Sequence, residues 1–283
     1  MSTQPLRDRY LRDGFVFPFD AMSAAEAFEL RTEFETLERT HGADPNFLSA
    51  VNGGSDFILP NLHALTHRAE ILDRVEEILG PNLIVFSTSL FIKEPHTAHY
   101  VSWHQDLTYW GMDGDEEVTA WVALSSATLN NGCMRMLPGS HERELAPHRD
   151  TFDKDNLLTR GQVIAETVDE TQAVDVELHP GQFSLHHGRT FHGSHANQSN
   201  NRRIGVSINY VTPHMRNRDG IRPMVHLARG EDAEGNFQTV PPPKGVLHEH
   251  DIATLRQAKA LAESFYYKGT EQRLATDAIA CDR

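Results

Sequence analysis

Leu83-Ile84-Val85-Phe86-Ser87-Thr88-Ser89-Leu90-Phe91-Ile92-Lys93 is where the chain changes character. The run is rich in β-branched and aromatic residues, which suit a pleated strand. The residues before it read as helix. Ser23 and Glu26 have capping-box spacing, Ala27, Leu30, Phe34 and Leu37 recur at helical intervals, and Gly42 supplies a stop. Ile71, Leu72, Val75, Ile78 and Leu79 line one face of a second helix over 68–79, ended by Gly80-Pro81. The segment 1–80 is therefore expected to be a helical buttress. Beyond Lys93 the chain reads as short strands: Tyr100 to Asp106, Val118 to Leu124, Cys133 to Leu137, the alternation Val174, Val176, Leu178, then 182–187 and Arg203 to Val211. Asn130-Asn131-Gly132 and Pro180-Gly181 mark turns. The segment 213–250 is rich in Pro, Gly and charge and reads as an extended loop. Leu255, Ala258, Leu261 and Phe265 place a last helix over 251–267. Helices, then many strands, then a helix predict a β-barrel or two-sheet jelly roll with flanking helices. At 283 residues the chain is expected to be one domain: buttress, core over 81–212, and a C-terminal loop and helix over 213–283.

Bulk composition narrows the function. A formal net charge of −14 disfavours nucleic acid and anionic membranes as partners. The two cysteines, Cys133 and Cys281, make no disulfide framework, and no signal peptide or long apolar span is visible, so a cytoplasmic protein is expected.

Trp103-His104-Gln105-Asp106 carries the chemistry. On a strand, residues i and i+2 share a face, so His104 and Asp106 can reach one ion while Trp103 and Gln105 face away. A second histidine from a distant strand would complete a 2-His-1-carboxylate triad of the non-haem iron(II) type. Alone, His-x-Asp is weak evidence, since an ordinary surface pair of this spacing occurs often by chance. Four histidines compete for the third position: His186, His187, His192 and His195. On the strand beginning at Arg203, Arg203, Gly205, Ser207 and Asn209 share one face, a polar row that fits a pocket wall. Arg203 could grip a carboxylate with two parallel hydrogen bonds; a solvated surface arginine is the plain alternative.

Together these blocks resemble the phytanoyl-CoA dioxygenase family of iron(II)- and 2-oxoglutarate-dependent oxygenases. The matching residues are Trp103 to Leu107, Ala120-Trp121, Asn130 to Cys133, Leu137-Pro138-Gly139-Ser140-His141, and His192-Gly193-Ser194 with Asn197 and Arg203. The resemblance covers about 80–212. It implies a double-stranded β-helix, or cupin-like jelly roll, with His104, Asp106 and His192 as metal ligands. It further implies Arg203 and Ser194 on the distal carboxylate of 2-oxoglutarate, with Trp121 and Leu90 beside it. His186 and His187 would form pocket wall or stand behind the metal ligands. O2 would be consumed, succinate and CO2 released, and ascorbate is an expected stimulant. A carboxylate at Asp106, where related halogenases have a small residue, implies hydroxylation. A zinc hydrolase and a catalytically silent binding protein are the alternatives. The segment Asp106 to Asp113 resembles bacterial members acting on small molecules, and 2-aminoethylphosphonate is the leading substrate; an acyl-CoA or natural product is the runner-up. Tyr109, Trp110, Lys93 and Arg189 are candidate substrate contacts, with core packing the alternative for the two aromatics. The protein is expected to be a monomer or homodimer with a small-molecule substrate.

Overall fold

A computed structural model of the protein describes residues 4–268 and 270. Cys281 lies outside the described residues. Six helices are present among them: α1 (Leu6–Asp13), α2 (Ala24–His41), α3 (Pro45–Val51), α4 (Pro60–Thr66), α5 (Ala69–Leu79) and α6 (Glu249–Tyr266). The strands of the first half are β1 (Phe15–Asp20), β2 (Leu83–Lys93), β3 (Val101–His104), β4 (Met112–Asp113) and β5 (Glu117–Ala123). Then come β6 (Met134–Met136), β7 (His148–Asp150), β8 (Gln162–Ile164), β9 (Val174–Val176), β10 (Gln182–His186), β11 (His192–Ser194) and β12 (Arg203–Val211). β13 (Arg216–Asn217), β14 (Met224–Arg229) and β15 (Gln238–Thr239) complete the set.

The strands form a seven-stranded sheet, β1-β10-β5-β12-β2-β14-β15, and a four-stranded sheet, β3-β11-β6-β9. This is the expected jelly roll. The chain divides into two compact units: Met1–Phe28, Phe91–Thr108 and Val118–Val206 make the first, and Glu29–Leu90, Tyr109–Glu117 and Ser207–Arg283 the second. In the first unit the two sheets close on one apolar core. Phe15, Trp121 and Ala123 come from the large sheet, Met134, Met136 and Val176 from the small one, and Ala127, Cys133 and Leu178 fill between. Burying such side chains away from water is the main force holding the sheets together.

Local signals were legible. Ser23 and Glu26 form the capping box: the Glu26 N–H donates to Ser23 Oγ at 3.2 Å, and Glu26 Oε2 accepts from the Ser23 N–H at 2.8 Å. Ile71, Leu72, Val75 and Ile78 are the buried face of α5. In the second unit α6 buries Leu255 and Phe265.

Two expectations are corrected. The first eighty residues are not purely helical, because Phe15–Asp20 is a strand paired with β10 at the sheet's edge. Pro18 is tolerated there, where the register slips between Val16 and Phe19. The 213–250 segment is not only loop, because β14 pairs with β2 in the second unit, His226 opposite Val85 and Leu227 opposite Ile84.

In the small sheet His192 of β11 lies directly opposite His104 of β3, while Ser194 lies opposite Val101. Two steps along β11 thus match three along β3, a bulge that places one extra residue on β3.

Candidate metal centre and carboxylate pocket

β3 ends at His104, and Asp106 opens a short 3-10 turn, Asp106–Thr108. The expectation of a strand running through Asp106 is therefore corrected. The bend is fixed by Gln105, which is fully buried. Its Nε2 donates to the Arg189 carbonyl at 2.8 Å and its Oε1 accepts the Ala146 N–H at 2.8 Å. Its own N–H donates to His148 Nε2 at 3.1 Å. Buried amides need such partners, so this anchorage has few alternatives. Trp103 and Gln105 do face away from the ligands. Trp103 packs with Leu137 against Ala146, Ile164 and Phe191.

His104, Asp106 and His192 converge, each offering one ligand atom, all within 4.8 Å of one another. Asp106 Oδ1 is 3.2 Å from His104 Nε2 and 3.6 Å from His192 Nε2. Both imidazoles face backbone carbonyls through Nδ1. His104 Nδ1 is 2.9 Å from the Ser102 carbonyl and 3.1 Å from that of His192; His192 Nδ1 is 2.9 Å from the Thr190 carbonyl. A carbonyl only accepts, so each Nδ1 carries the proton and each Nε2 presents a lone pair inward. Burial holds His192 well below the usual imidazole range, in its neutral form. Two lone pairs and a carboxylate oxygen thus point at one another in a dry place. A divalent cation relieves that repulsion, and this donor set suits non-haem iron(II).

A second polar pocket in the same unit fits an anion. Arg203 is 1% exposed, and its Nη1 donates to the Gly132 carbonyl at 3.0 Å. Its Nε and Nη2 have no hydrogen-bond partner among the described residues. Lys93, fully buried, places its Nζ 2.6 Å from Ser194 Oγ, 3.3 Å from the Gly132 carbonyl and against the His195 carbonyl. Burial, and then Arg203, pushes Lys93 down to about 6. Burial holds the nearby Cys133 thiol up at about 12, so it supplies no thiolate counter-charge. An unpaired buried guanidinium is costly, and a carboxylate meeting Nε and Nη2 in parallel satisfies it.

Two glycines shape this pocket. Gly132, at φ +75°, turns its carbonyl between Lys93 and Arg203; a Cβ there would lie 2.2 Å from the His195 carbonyl oxygen. Gly205 makes room for Trp121, whose ring would come within 1.8 Å of a Cβ at that position and lies under the Arg203 guanidinium at 5.1 Å. Gly205→Ala must therefore displace Trp121 from a packed core. A loss of roughly 1–3 kcal/mol is expected, measured by chemical denaturation, with a shift in tryptophan fluorescence.

Of the remaining candidates, Lys93 stands with Arg203 and Ser194. Leu90 is buried on β2 in the second unit. Arg189 is half-buried, with its carbonyl engaged by Gln105 and its N–H donating to His187 Nδ1 at 3.0 Å. Trp110 and Tyr109 belong to the second unit, where Trp110 packs on Phe86 at 4.9 Å and Tyr109 lies 6.1 Å from Tyr266. His187 packs near Tyr10 and His141. His195 Nε2 accepts from Arg135 at 2.8 Å. Sequence reasoning did not single out Thr119, whose hydroxyl donates to Asp106 Oδ2 at 3.3 Å. A threonine in an unbroken buried strand carries no signal of what it faces.

Residues 10–205 match the family model described as phytanoyl-CoA dioxygenase (PhyH), and the chain belongs to that family. A probable alpha-ketoglutarate-dependent hypophosphite dioxygenase of Stutzerimonas stutzeri is 31% identical over 152 residues, 53% of this chain and 52% of that protein. The chain spans about half the length of the first curated relatives it matches. Among solved structures, the non-heme monooxygenase ThoJ in its apo form is 33% identical with a TM-score of 0.85, covering 93% of this chain and 98% of that one. The epimerase SnoN, solved with Fe3+, alpha-ketoglutarate and nogalamycin RO, is 25% identical with a TM-score of 0.59, covering 75% of this chain and 84% of that one. No helix among the described residues is long and apolar enough to cross a membrane.

Proposed function

We propose that this protein is an iron(II)- and 2-oxoglutarate-dependent hydroxylase of a small organic substrate. One observation carries the reading: two Nε2 lone pairs and Asp106 Oδ1 converge in a buried site where the imidazole protons are already committed to carbonyls. Family membership and the likeness to ThoJ and SnoN support it. His104, Asp106 and His192 would hold the metal. Arg203, Lys93 and Ser194 would hold the distal carboxylate of 2-oxoglutarate, with Trp121 as the floor beneath Arg203. Bound iron(II) would supply oxidative decarboxylation of 2-oxoglutarate by O2, giving succinate and CO2 and placing one oxygen atom in a substrate C–H bond. The chain's own part is to bind, orient and keep water out. A zinc hydrolase would leave the unpartnered Arg203 without a role.

For the substrate we put 2-aminoethylphosphonate first, converted to 2-amino-1-hydroxyethylphosphonate. The support is the resemblance over Asp106 to Asp113, with a relative named for another phosphorus acid. Arg189, a candidate from the sequence, is the cation proposed to meet the phosphonate, with Lys93 at the 2-oxoglutarate carboxylate and Arg202 paired with Glu94. Tyr109 and Trp110 pack near Tyr266 and Phe86 in the second unit. An acyl-CoA is less well matched, since a net charge of −14 offers it no general attraction. The test is oxygen uptake and succinate release with iron(II), 2-oxoglutarate and 2-aminoethylphosphonate. Turnover that needs all components is expected. Turnover with another substrate only would move the assignment to that substrate; no binding of iron or 2-oxoglutarate would end the reading.

Lys93 gives this reading a pH signature. With its ammonium held down to about 6, Lys93 is mostly neutral at neutral pH. A carboxylate favours the charged form, so binding 2-oxoglutarate takes up a proton. Affinity is then greatest below about 6 and falls as pH rises, by up to about tenfold per unit. Titration calorimetry in buffers of different ionisation enthalpy will show the uptake, and Lys93→Met will remove it.

A further inference from the structure

The two oxygens of Asp106 are treated differently. Oδ1 faces the Nε2 atoms of His104 and His192. Oδ2 faces the large sheet, where Thr119 Oγ1 donates to it at 3.3 Å and His186 Nε2 stands 3.5 Å away. His186 and Thr119 are direct cross-strand partners on β10 and β5, so adjacent strands aim two side chains at one oxygen. His186 is 1% exposed, its ring lies 4.6 Å from that of His192, and neither of its nitrogens has a formed hydrogen bond. The contrast with the two ligand histidines is informative. Their Nδ1 protons are taken by carbonyls, which frees Nε2 as a lone pair. Among the described residues no hydrogen-bond partner meets His186 Nδ1, and the acceptor facing its Nε2 is Asp106 Oδ2, so Nε2 is the nitrogen placed to donate. A gap of 3.5 Å is long for a hydrogen bond; such contacts tighten when a site is loaded.

We propose that His186 and Thr119 are positioning residues that clamp Asp106 Oδ2. Resting on the metal site proposed for this chain, the clamp keeps the carboxylate a one-oxygen ligand. A carboxylate can bind a metal through one oxygen or both. With two donors on Oδ2, Asp106 turns only Oδ1 to the ion and leaves the remaining positions to the 2-oxo acid and oxygen. His186 is therefore not a fourth ligand, despite its place beside the triad.

The test is Mn(II) binding by the full-length protein, followed by electron paramagnetic resonance, with the absorption of the anaerobic iron(II)–2-oxoglutarate complex as a second readout. His186→Leu and Thr119→Val are each expected to weaken Mn(II) binding about tenfold and to shift the absorption. His186→Gln and Thr119→Ser, which keep a donor, should restore most of both. Should His186→Leu fail to fold, the near-isosteric Thr119→Val and Thr119→Ser pair decides on the same readouts. Unchanged binding and absorption in the donor-less variants would overturn the clamp, as would a Gln variant no better than Leu. A loss as complete as that of His104→Ala would make His186 a ligand and overturn it too. If the wild-type protein binds neither Mn(II) nor iron(II), the proposed function falls, a result distinct from wild-type binding that the variants leave unmoved.

Discussion

Asp106→Ala is expected to lower iron-dependent succinate release by on the order of 10³-fold or more, and to do so without unfolding the protein. The two halves of that expectation have separate causes. Asp106 brings the negative charge of the donor set, and two neutral imidazoles hold a divalent cation far less firmly than two imidazoles and a carboxylate. Without metal, however, that carboxylate is no asset to the fold. It is buried, and its Oδ1 faces two lone pairs at 3.2 and 3.6 Å. Removing it relieves repulsion and leaves a small void, with Thr119 and His186 losing an acceptor. Thermal unfolding of the metal-free variant should therefore stay close to that of the metal-free wild type. Added iron(II) should raise the wild-type midpoint and leave the variant where it was, because only a chain that binds the ion gains from it. A chelator should bring the wild type back to the variant's value.

Arg203→Met is expected to weaken 2-oxoglutarate binding by about 2–5 kcal/mol, which is about 30-fold or more. It should also raise the stability of the ligand-free protein. Arg203 has two guanidinium nitrogens without partners inside the first unit. Burial costs it enough to pull its ordinarily very high value down to about 10. Methionine fills similar space along the Trp121 ring without the charge. The opposed signs separate this role from a structural one: an arginine that merely held the sheet would lower stability when removed. Denaturant unfolding with and without 2-oxoglutarate reads both effects in one series.

Much of this site was legible in the sequence, and the limits are instructive. The spacing of His104 and Asp106 predicted that the two side chains would meet, and they do, but not by the expected strand geometry. The strand stops at His104, and the buried amide of Gln105 makes the turn. A single glutamine does not advertise that in a sequence. His192 had to be chosen from four histidines by resemblance. In the structure it differs from His186 by what stands at Nδ1, the Thr190 carbonyl in one case and no partner in the other. Backbone carbonyl positions are set by tertiary structure and have no residue code. Lys93 closes an apolar strand, so its charge pointed toward a substrate. The fold turns it onto Ser194 and the Gly132 and His195 carbonyls instead. β1 was hidden by Pro18, which reads as a breaker unless the strand is known to be an edge. β14 was hidden by the prolines and glycines on either side, although Val225 and His226 are both buried.

The bulge between β3 and β11 has a consequence for how a newly made chain is checked. His104 meets His192 only because β3 carries one residue more than β11 between the two paired positions. Strand side chains alternate, so a frame error of one residue would send His104 to the opposite face of the small sheet. Such a chain could still bury most of its apolar residues and pass for folded by compactness or secondary-structure content. It would not chelate. With the metal site proposed for this chain, iron uptake would proofread the pairing of two strands whose residues lie about ninety positions apart in the chain, and cation retention would measure the fraction of molecules in the right frame.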